Sequence, residues 1–341
     1  LKLFEKVLLT RTFARNDRFE KQPQRTAISN PAAPPARRSL YPNGCQHPDF
    51  LVTLIMDLPG AISALSDSRD LSGEEMQEVL SIVMQGEATP AQIGAFLTAL
   101  HIKGESVVEL VAAARVMRQF AAAVDVKATK VVDSVGTGGD GAGLFNVSTA
   151  AALVAAAQGS VLAKHGNRAA TGNSGSADML EAAGVNITLT PAQVTETIDT
   201  VGIGFMFAPT HHGATRHAVG PRREIGVRTL FNLLGPLTNP ADAKYQLVGV
   251  FDHRWVRPIA EVFQNLGSVH TIVVHSEDGL DEISIAAPTS ASELRNGEIV
   301  DYVIQPEDFG IERQSLDTIR VASAKDSLEK IRNALTGAQG P

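Results

Sequence analysis

The segment Asp133-Ser134-Val135-Gly136-Thr137-Gly138-Gly139-Asp140-Gly141-Ala142-Gly143 constrains this chain more than any other. It places five glycines in the eight positions 136–143. The apolar run Lys130–Val135 before it reads as a strand. The alanine-rich run after it, from about Ser148 to Gln158, reads as a helix. Glycines between a strand and a helix let successive backbone N–H groups turn toward an anion. Asn146-Val147-Ser148-Thr149 adds cap hydroxyls and the positive end of that helix. Together these residues predict a phosphate or pyrophosphate cradle rather than a plain turn.

Gly136, Gly138 and Gly141 also satisfy G-x-G-x-x-G, the dinucleotide fingerprint. Two features argue against that use. The next strand, Ser160–Ala163, runs into Lys164-His165, where an acid would be needed for a ribose hydroxyl. Asp140 would repel a closely held pyrophosphate unless a metal intervened. No Walker pattern follows.

Three further clusters carry chemistry. Lys164-His165-Gly166-Asn167-Arg168, with Thr171-Gly172-Asn173-Ser174-Gly175-Ser176-Ala177-Asp178, combines cations, small hydroxyls and glycines ahead of a helix over Ser176–Ala183. It predicts a second anion loop, and two such loops after neighbouring strands suggest a ligand with two phosphate groups. Glu277-Asp278-Gly279-Leu280-Asp281-Glu282 follows the apolar strand His270–His275 and offers adjacent carboxylates suited to magnesium. His211-His212-Gly213 with Arg216 and Arg222-Arg223 lacks a third ligand at zinc spacing. Arg222 suits a carboxylate, which a guanidinium can bind through two parallel hydrogen bonds.

Capping patterns organise the rest. Ser72 to Glu75, Thr89-Pro90 with Gln92, and Ser106 to Glu109 each open a helix. They predict an all-helical unit over about 57–122, with Met76, Val79, Leu80 and Val83 as one apolar face. Strand-like runs then alternate with helices: Val185–Leu189, Gly204–Phe207, Gln246–Val250, His270–His275 and Ile299–Ile304, with Thr190-Pro191 and Gln193 opening another helix. The expected fold is a small helical domain (49–125, joined by helices near 210–230) plus an α/β domain (126–341) around a mainly parallel sheet.

Charge separates off the start of the chain. Residues 1–48 hold nine Lys/Arg against three Asp/Glu, leaving 21 against 34 for 49–341. The acidic body disfavours nucleic acid, so an anionic ligand needs a local cationic or amide-rich site. The longest apolar run, Ala150–Ala157, is far short of the roughly 20 residues that span a bilayer, so no membrane partner is expected. The single cysteine, Cys45, excludes an internal disulfide framework and suits a reducing compartment such as the cytoplasm. Residues 1–48, with Asn30-Pro31-Ala32-Ala33-Pro34-Pro35, read as an extension expected to be disordered; their composition also fits an organelle transit peptide.

Taken in order over about 57–341, these segments resemble the anthranilate phosphoribosyltransferase family. The resemblance rests on Gly136-Thr137-Gly138-Gly139-Asp140, Asn146-Val147-Ser148-Thr149, Lys164-His165-Gly166-Asn167-Arg168, Gly175-Ser176-Ala177-Asp178, Phe231-Asn232-Leu233-Leu234-Gly235-Pro236 and Asp281-Glu282. It implies transfer of phosphoribose from phosphoribosyl pyrophosphate to anthranilate with magnesium, in tryptophan biosynthesis, by a homodimer paired through its helical domains. It also implies roles. Gly136, Gly139, Asp140, Asn146, Ser148, Thr149, Lys164, His165, Gly166, Asn167, Arg168, Thr171, Gly172 and Ser176 would hold phosphoribosyl pyrophosphate. Gly136, His165, Asn167, His212 and Arg222 would line the anthranilate path, and Ser148, Asp281 and Glu282 would hold the metal. Lys164, Asn167 and Arg222 would be catalytic.

The chain departs from the family pattern at Leu144, where a small hydroxyl is usual, and at Thr171-Gly172, often two serines. It departs again at Gly213, Thr215 and Arg216, commonly Pro, Met and Lys. Two other readings compete. A pyrimidine-nucleoside phosphorylase shares the fold, but its Lys-x-Ser-x-Arg-type stretch is absent from His211–Arg223. A non-catalytic nucleic-acid-binding relative would need a basic surface.

Overall fold

The computed structural model describes residues 56–169 and 172–338. The extension 1–48 and Thr171 lie outside the described residues. Four helices come first: α1 (Leu58–Ser66), α2 (Gly73–Gln85), α3 (Pro90–Lys103) and α4 (Val107–Gln119). All three capping boxes form. The Ser72, Thr89 and Ser106 hydroxyls accept from the Glu75, Gln92 and Glu109 N–H groups, whose side chains bond back to the cap N–H. Each cap is worth about 1 kcal/mol and fixes where its helix starts. Met76, Val79, Leu80 and Val83 are buried as their spacing predicts.

The chain then builds a seven-stranded sheet in the order β3-β2-β1-β4-β5-β6-β7. The strands are β1 (Val131–Gly136), β2 (Val161–Gly166), β3 (Ile203–Phe207), β4 (Tyr245–Gly249), β5 (His270–Ser276), β6 (Thr289–Arg295) and β7 (Glu298–Ile304). The pairings from β3 through to β5 are parallel, and β6 and β7 are antiparallel. Parallel strands require crossovers. These are α5 (Val147–Ala157) after β1; α6 (Ser176–Ala182) and α7 (Pro191–Val201) after β2; α8 (Ala208–His211), α9 (Arg216–Ile225) and α10 (Leu230–Leu237) after β3; and α11 (Val256–Asn265) after β4. α12 (Ala324–Leu335) ends the described chain. A small helical unit beside an α/β unit with a mainly parallel sheet is the fold class the sequence predicts.

Alternate residues of each strand serve opposite faces. Leu162, Leu247, Ile272 and Val274 pack with Ala152 and Ala155 of α5. Val248, Val250 and Val273 face the other way, into one continuous core with α1–α4, α10 and α11. α9 packs on α2 and α3, so helices from the middle of the chain close the helical unit.

Two readings change. Val185–Leu189 is not a strand: the Asn186 side chain accepts from both the Thr188 N–H and its hydroxyl, at 3.0 Å each, a local turn that competes with a ladder. β6 was not expected, because Thr289-Ser290-Ala291-Ser292-Glu293 reads as polar. Its backbone pairs on both sides, with β5 and β7.

Candidate active site

β1 lies between β2 and β4, and its crossover turns one way while β4 lies on the other side. The crevice beyond the carboxyl ends of such strands is where ligands bind in open α/β sheets. The glycine loop leaves β1 there. Gly138, Gly139, Gly141 and Gly143 take φ of 67°, 82°, 72° and 63°, the left-handed region that side chains disfavour. Thr137 fastens the loop to β4: its N–H donates to Gly249 O at 2.9 Å, and its hydroxyl accepts from Phe251 N at 3.0 Å.

The acidic turn after β5 closes onto the same ends. A Cβ on Gly136 would stand 2.4 Å from Asp281 Oδ2, and one on Gly249 would stand 1.6 Å from the Asp281 carbonyl oxygen. Asp281 Oδ2 accepts from Gly138 N at 2.7 Å. Two glycines therefore let the predicted acid pair reach the predicted anion loop. Burial pushes the Asp281 carboxyl above the ordinary range, and the facing Asp140 carboxyl adds to this. Burial and the adjacent Asp281 do the same to Glu282, while the Ser148 backbone N–H bonds its carboxylate and opposes the rise. Two acids held this close want a cation. Among the described residues, no three His, Cys, Asp or Glu groups are arranged to hold a metal alone. Magnesium here would complete its shell with water and ligand oxygens, its usual habit.

β2 extends three residues past the expected Ala163 and carries Lys164 and His165 on opposite faces. Lys164 is buried; its Nζ donates to Ser134 O at 2.5 Å and to Ser148 Oγ at 3.3 Å. Burial lowers its pKa, against the pull of Asp133 and Glu282. Asp133, wholly buried, accepts from Asn239 Nδ2 at 2.7 Å and from His165 N at 3.3 Å. Burial raises its pKa to about 6, and Lys164 opposes the rise. On the other face, His165 Nδ1 lies 3.1 Å from Gly235 O, and its ring centroid is 5.1 Å from that of His212. Burial, then the neighbouring ring, drives the His165 pKa to about 3; burial and His211 take His212 to about 4. Both are neutral at physiological pH; His165 Nε2 lacks a hydrogen-bond partner, and the His212 ring has only the Thr238 backbone to bond.

The second loop meets the first through Asn146. Asn146 Nδ2 donates to Ser174 O at 3.0 Å, and its Oδ1 accepts from the Ser174 hydroxyl at 2.8 Å. Gly166 admits Ser176, whose Oγ would be 2.2 Å from a Cβ there and donates to Asn167 O at 3.3 Å. Asn167 is exposed at the mouth, and its Oδ1 accepts from Arg168 N at 2.8 Å. Gly172 has open space around it. Arg168 is tied outward, pairing with Asp178 at 3.0 Å and Glu181 at 2.8 Å. The Thr149 hydroxyl is buried without a partner at the start of α5. Leu144 makes an antiparallel bridge with Arg320, a backbone role open to any side chain.

Arg222 lies on the helical side with its guanidinium 4.9 Å over the Phe231 ring. Burial lowers its pKa. Sequence reasoning missed Arg228, which stacks 4.2 Å over Phe251 and donates to Gly139 O. It also missed Asn239, which joins Asp133 to Ala163 O, the latter at 2.8 Å. The Thr238-Asn239-Pro240 turn after α10 was the available signal for Asn239.

A helical bundle beside an α/β unit, with an anion cradle and an acid pair at the strand ends, defines a class. Residues 59–121 match the glycosyl transferase family, helical bundle domain, and residues 128–341 match the a/b domain of that family. The chain is 59% identical over 286 residues to the anthranilate phosphoribosyltransferase of Thioalkalivibrio sulfidiphilus, covering 84% of this chain and 85% of that protein. The anthranilate phosphoribosyltransferase of Thermus thermophilus superposes with a TM-score of 0.77 at 42% identity, over 82% of this chain and 84% of that one. The Saccharomyces cerevisiae enzyme of the same name, in complex with phosphoribosyl pyrophosphate and Mg, gives 0.74 at 27% identity, over 81% and 80%. The chain belongs to the anthranilate phosphoribosyltransferase family of glycosyl transferases.

Proposed function

We propose that this chain transfers the phosphoribosyl group of phosphoribosyl pyrophosphate to the amine of anthranilate and releases pyrophosphate, a step of tryptophan biosynthesis. One observation carries the reading: the glycine loop, buried Lys164, Ser148 and the Asp281–Glu282 pair converge beyond the ends of β1, β2 and β4. The second loop, from Gly166 to Ser176, would extend the same phosphate site. The C1–oxygen bond to pyrophosphate breaks as the C1–nitrogen bond to the amine forms. Lys164 would stabilise the growing charge on the departing pyrophosphate; its site is dry and already oriented, where such a charge acts most strongly. Ser148, Asp281 and Glu282 would hold magnesium, which when bound neutralises pyrophosphate charge.

The other face of β2 would take the acceptor. Arg222, with its bidentate fork, suits the anthranilate carboxylate. His165 and His212, neutral and each with an unpartnered nitrogen, can accept a hydrogen bond from the amine. No strong base is needed, because the arylammonium formed on C–N bonding is acidic and gives its proton to water. Rate would come mainly from positioning and electrostatics. Exclusion of water from the reactive ribose favours a cleft that closes between the helical unit (49–125 with helices near 210–230) and the α/β unit (126–341).

The helical unit is also our dimer face. Ile102 on α3 and Val108 on α4 leave 78% and 55% of their surface exposed. Sedimentation at micromolar concentration checks this, and a monomer refutes it. We place the protein in the cytoplasm; no helix among the described residues is long and apolar enough to cross a membrane. The test of function is anthranilate fluorescence followed with time. Loss of signal that requires enzyme, phosphoribosyl pyrophosphate and magnesium together is expected. Binding of phosphoribosyl pyrophosphate without turnover would transfer the acceptor role to another amine, and no binding would refute both anion loops.

A further inference from the structure

Asn146 is the N-cap of α5, yet its side chain makes no capping bond to that helix. An N-cap asparagine normally turns its oxygen onto the N–H groups of the first turn and satisfies them itself. Here that oxygen is engaged elsewhere. Asn146 Oδ1 accepts from Ser174 Oγ at 2.8 Å and from Ser327 Oγ at 2.7 Å, while Nδ2 donates to Ser174 O at 3.0 Å. The carbonyl at Ser174 can only accept, so the amide orientation is fixed.

Ser327 is the unexpected partner, since it sits 181 residues away on α12 and is 0% exposed. Its hydroxyl is used twice, donating to Asn146 Oδ1 and accepting from Asn146 N at 3.0 Å. It stands one helical turn before Ile331, which packs with Ala150 of α5 and Met179 of α6. A serine on a buried helical stripe needs partners, and both come from Asn146. The preceding segment is sewn to the same two loops. Val321 N donates to Gly143 O at 2.8 Å, Phe145 N to Ile319 O at 3.0 Å, and Asn173 Nδ2 to Val321 O at 2.9 Å.

We propose that Ser327 is a positioning residue for phosphoribosyl pyrophosphate: it holds the Asn146 amide off the end of α5, so that this helix end stays open to a phosphate. Without the hydroxyl, only Ser174 holds the Asn146 amide outward, and rotation onto its own first turn, where it competes with the phosphate for the same N–H groups, becomes easier. Asn146 Nδ2 keeps one hydrogen beyond that given to Ser174, available to the ligand only while the amide stays turned outward. The assignment rests on the functional reading above.

The test is Ser327→Ala, with Ile331→Val as a control that thins the same contact but keeps the hydroxyl. Phosphoribosyl pyrophosphate binding is measured by calorimetry with magnesium, and steady-state constants with both substrates. Two hydrogen bonds are lost and a competing cap is gained, so KM and Kd for phosphoribosyl pyrophosphate should rise about tenfold. KM for anthranilate, and kcat at saturating phosphoribosyl pyrophosphate, should stay within about twofold, because the acceptor face is untouched. Ile331→Val should lower Tm without moving these constants. Wild-type-like affinity in Ser327→Ala, or an equal rise in Ile331→Val, overturns the assignment alone. Failure of the wild type to bind phosphoribosyl pyrophosphate overturns the assignment together with the functional reading.

Discussion

Gly136→Ala tests the link between the glycine loop and the acid pair. The added Cβ would lie 2.4 Å from Asp281 Oδ2 and 3.1 Å from its Cγ. The Asp281 carbonyl packs against Gly249, so turning the carboxyl is a smaller movement than shifting the whole residue. That turn breaks its 2.7 Å bond from Gly138 N. That bond is worth about 1.5–3 kcal/mol, and an off-rotamer side chain costs about 0.5–1.5 more. The sum, about 2–4.5 kcal/mol, lowers Tm by roughly 3–8 °C in a protein of this size. The rotated carboxyl also leaves the proposed metal site, so the magnesium concentration for half-maximal turnover should rise at least about tenfold. Gly138→Ala is the control. It meets nothing within 4 Å but has φ of 67°, so it costs about 1–2 kcal/mol of backbone strain and leaves Asp281 in place. Scanning calorimetry and magnesium titration of turnover read both variants. An unchanged Tm and magnesium midpoint in Gly136→Ala, or an equal magnesium shift in Gly138→Ala, would refute the reasoning.

Other outcomes follow from the same geometry. Asp281 and Glu282 are pushed above their ordinary range, so the folded chain holds protons that the unfolded chain releases above about pH 4. Their contribution to the stability of the metal-free protein therefore falls as pH rises from about 4 toward neutrality. Magnesium displaces those protons, so its stabilising shift in Tm should be larger at pH 8 than at pH 6; the reverse order would exclude these carboxylates as ligands. Arg222→Ala should raise KM for anthranilate on the order of ten- to a hundredfold, the worth of a charged hydrogen bond, and leave KM for phosphoribosyl pyrophosphate unchanged; a rise in the latter alone would move Arg222 to the other substrate. Lys164→Met should cut kcat by about a hundred- to a thousandfold in protein that still folds, and a loss below tenfold would remove Lys164 from the leaving-group role.

Local rules made much of the fold legible. The capping boxes at Ser72, Thr89 and Ser106 depend on residues three apart, and all three form. The glycine loop was visible because left-handed φ at Gly138, Gly139, Gly141 and Gly143 leaves its mark in composition. Partners distant in sequence were not legible. Asn239 reaches Asp133 across 106 residues, and Arg228 reaches Gly139 across 89. Nothing in the local pattern of either residue specifies that contact. β6 escaped for a related reason, since a strand paired on both edges needs no apolar run to be held. Arg168 shows the opposite limit. Its place in a basic loop suggested a phosphate, yet Asp178 and Glu181 on the following helix claim it in the structure.

The expected end of β2 at Ala163 hid the most consequential geometry. Three more residues keep strand conformation, with His165 and Gly166 pairing Met206 and Phe207 of β3. A strand sends successive side chains to opposite faces, so Lys164 follows Leu162 toward α5 and Ser148, and His165 goes toward Gly235 and His212. Read as a loop, Lys164-His165 is one basic cluster. Read as a strand, it is a divider with a charged group on the side proposed for the phosphates and a neutral ring on the side proposed for the acceptor. Their charged neighbours differ: burial lowers the pKa on both sides, but Asp133 and Glu282 oppose it at Lys164, while His165 and His212 face other histidines and shed their charge. Just beyond, the strands end in Gly136 and Gly166, which make room for Asp281 and Ser176. A transferase that must keep a highly charged donor apart from an amine until both are bound gains from such a partition. A one-residue register slip in β2 would exchange Lys164 and His165 between the faces and abolish it.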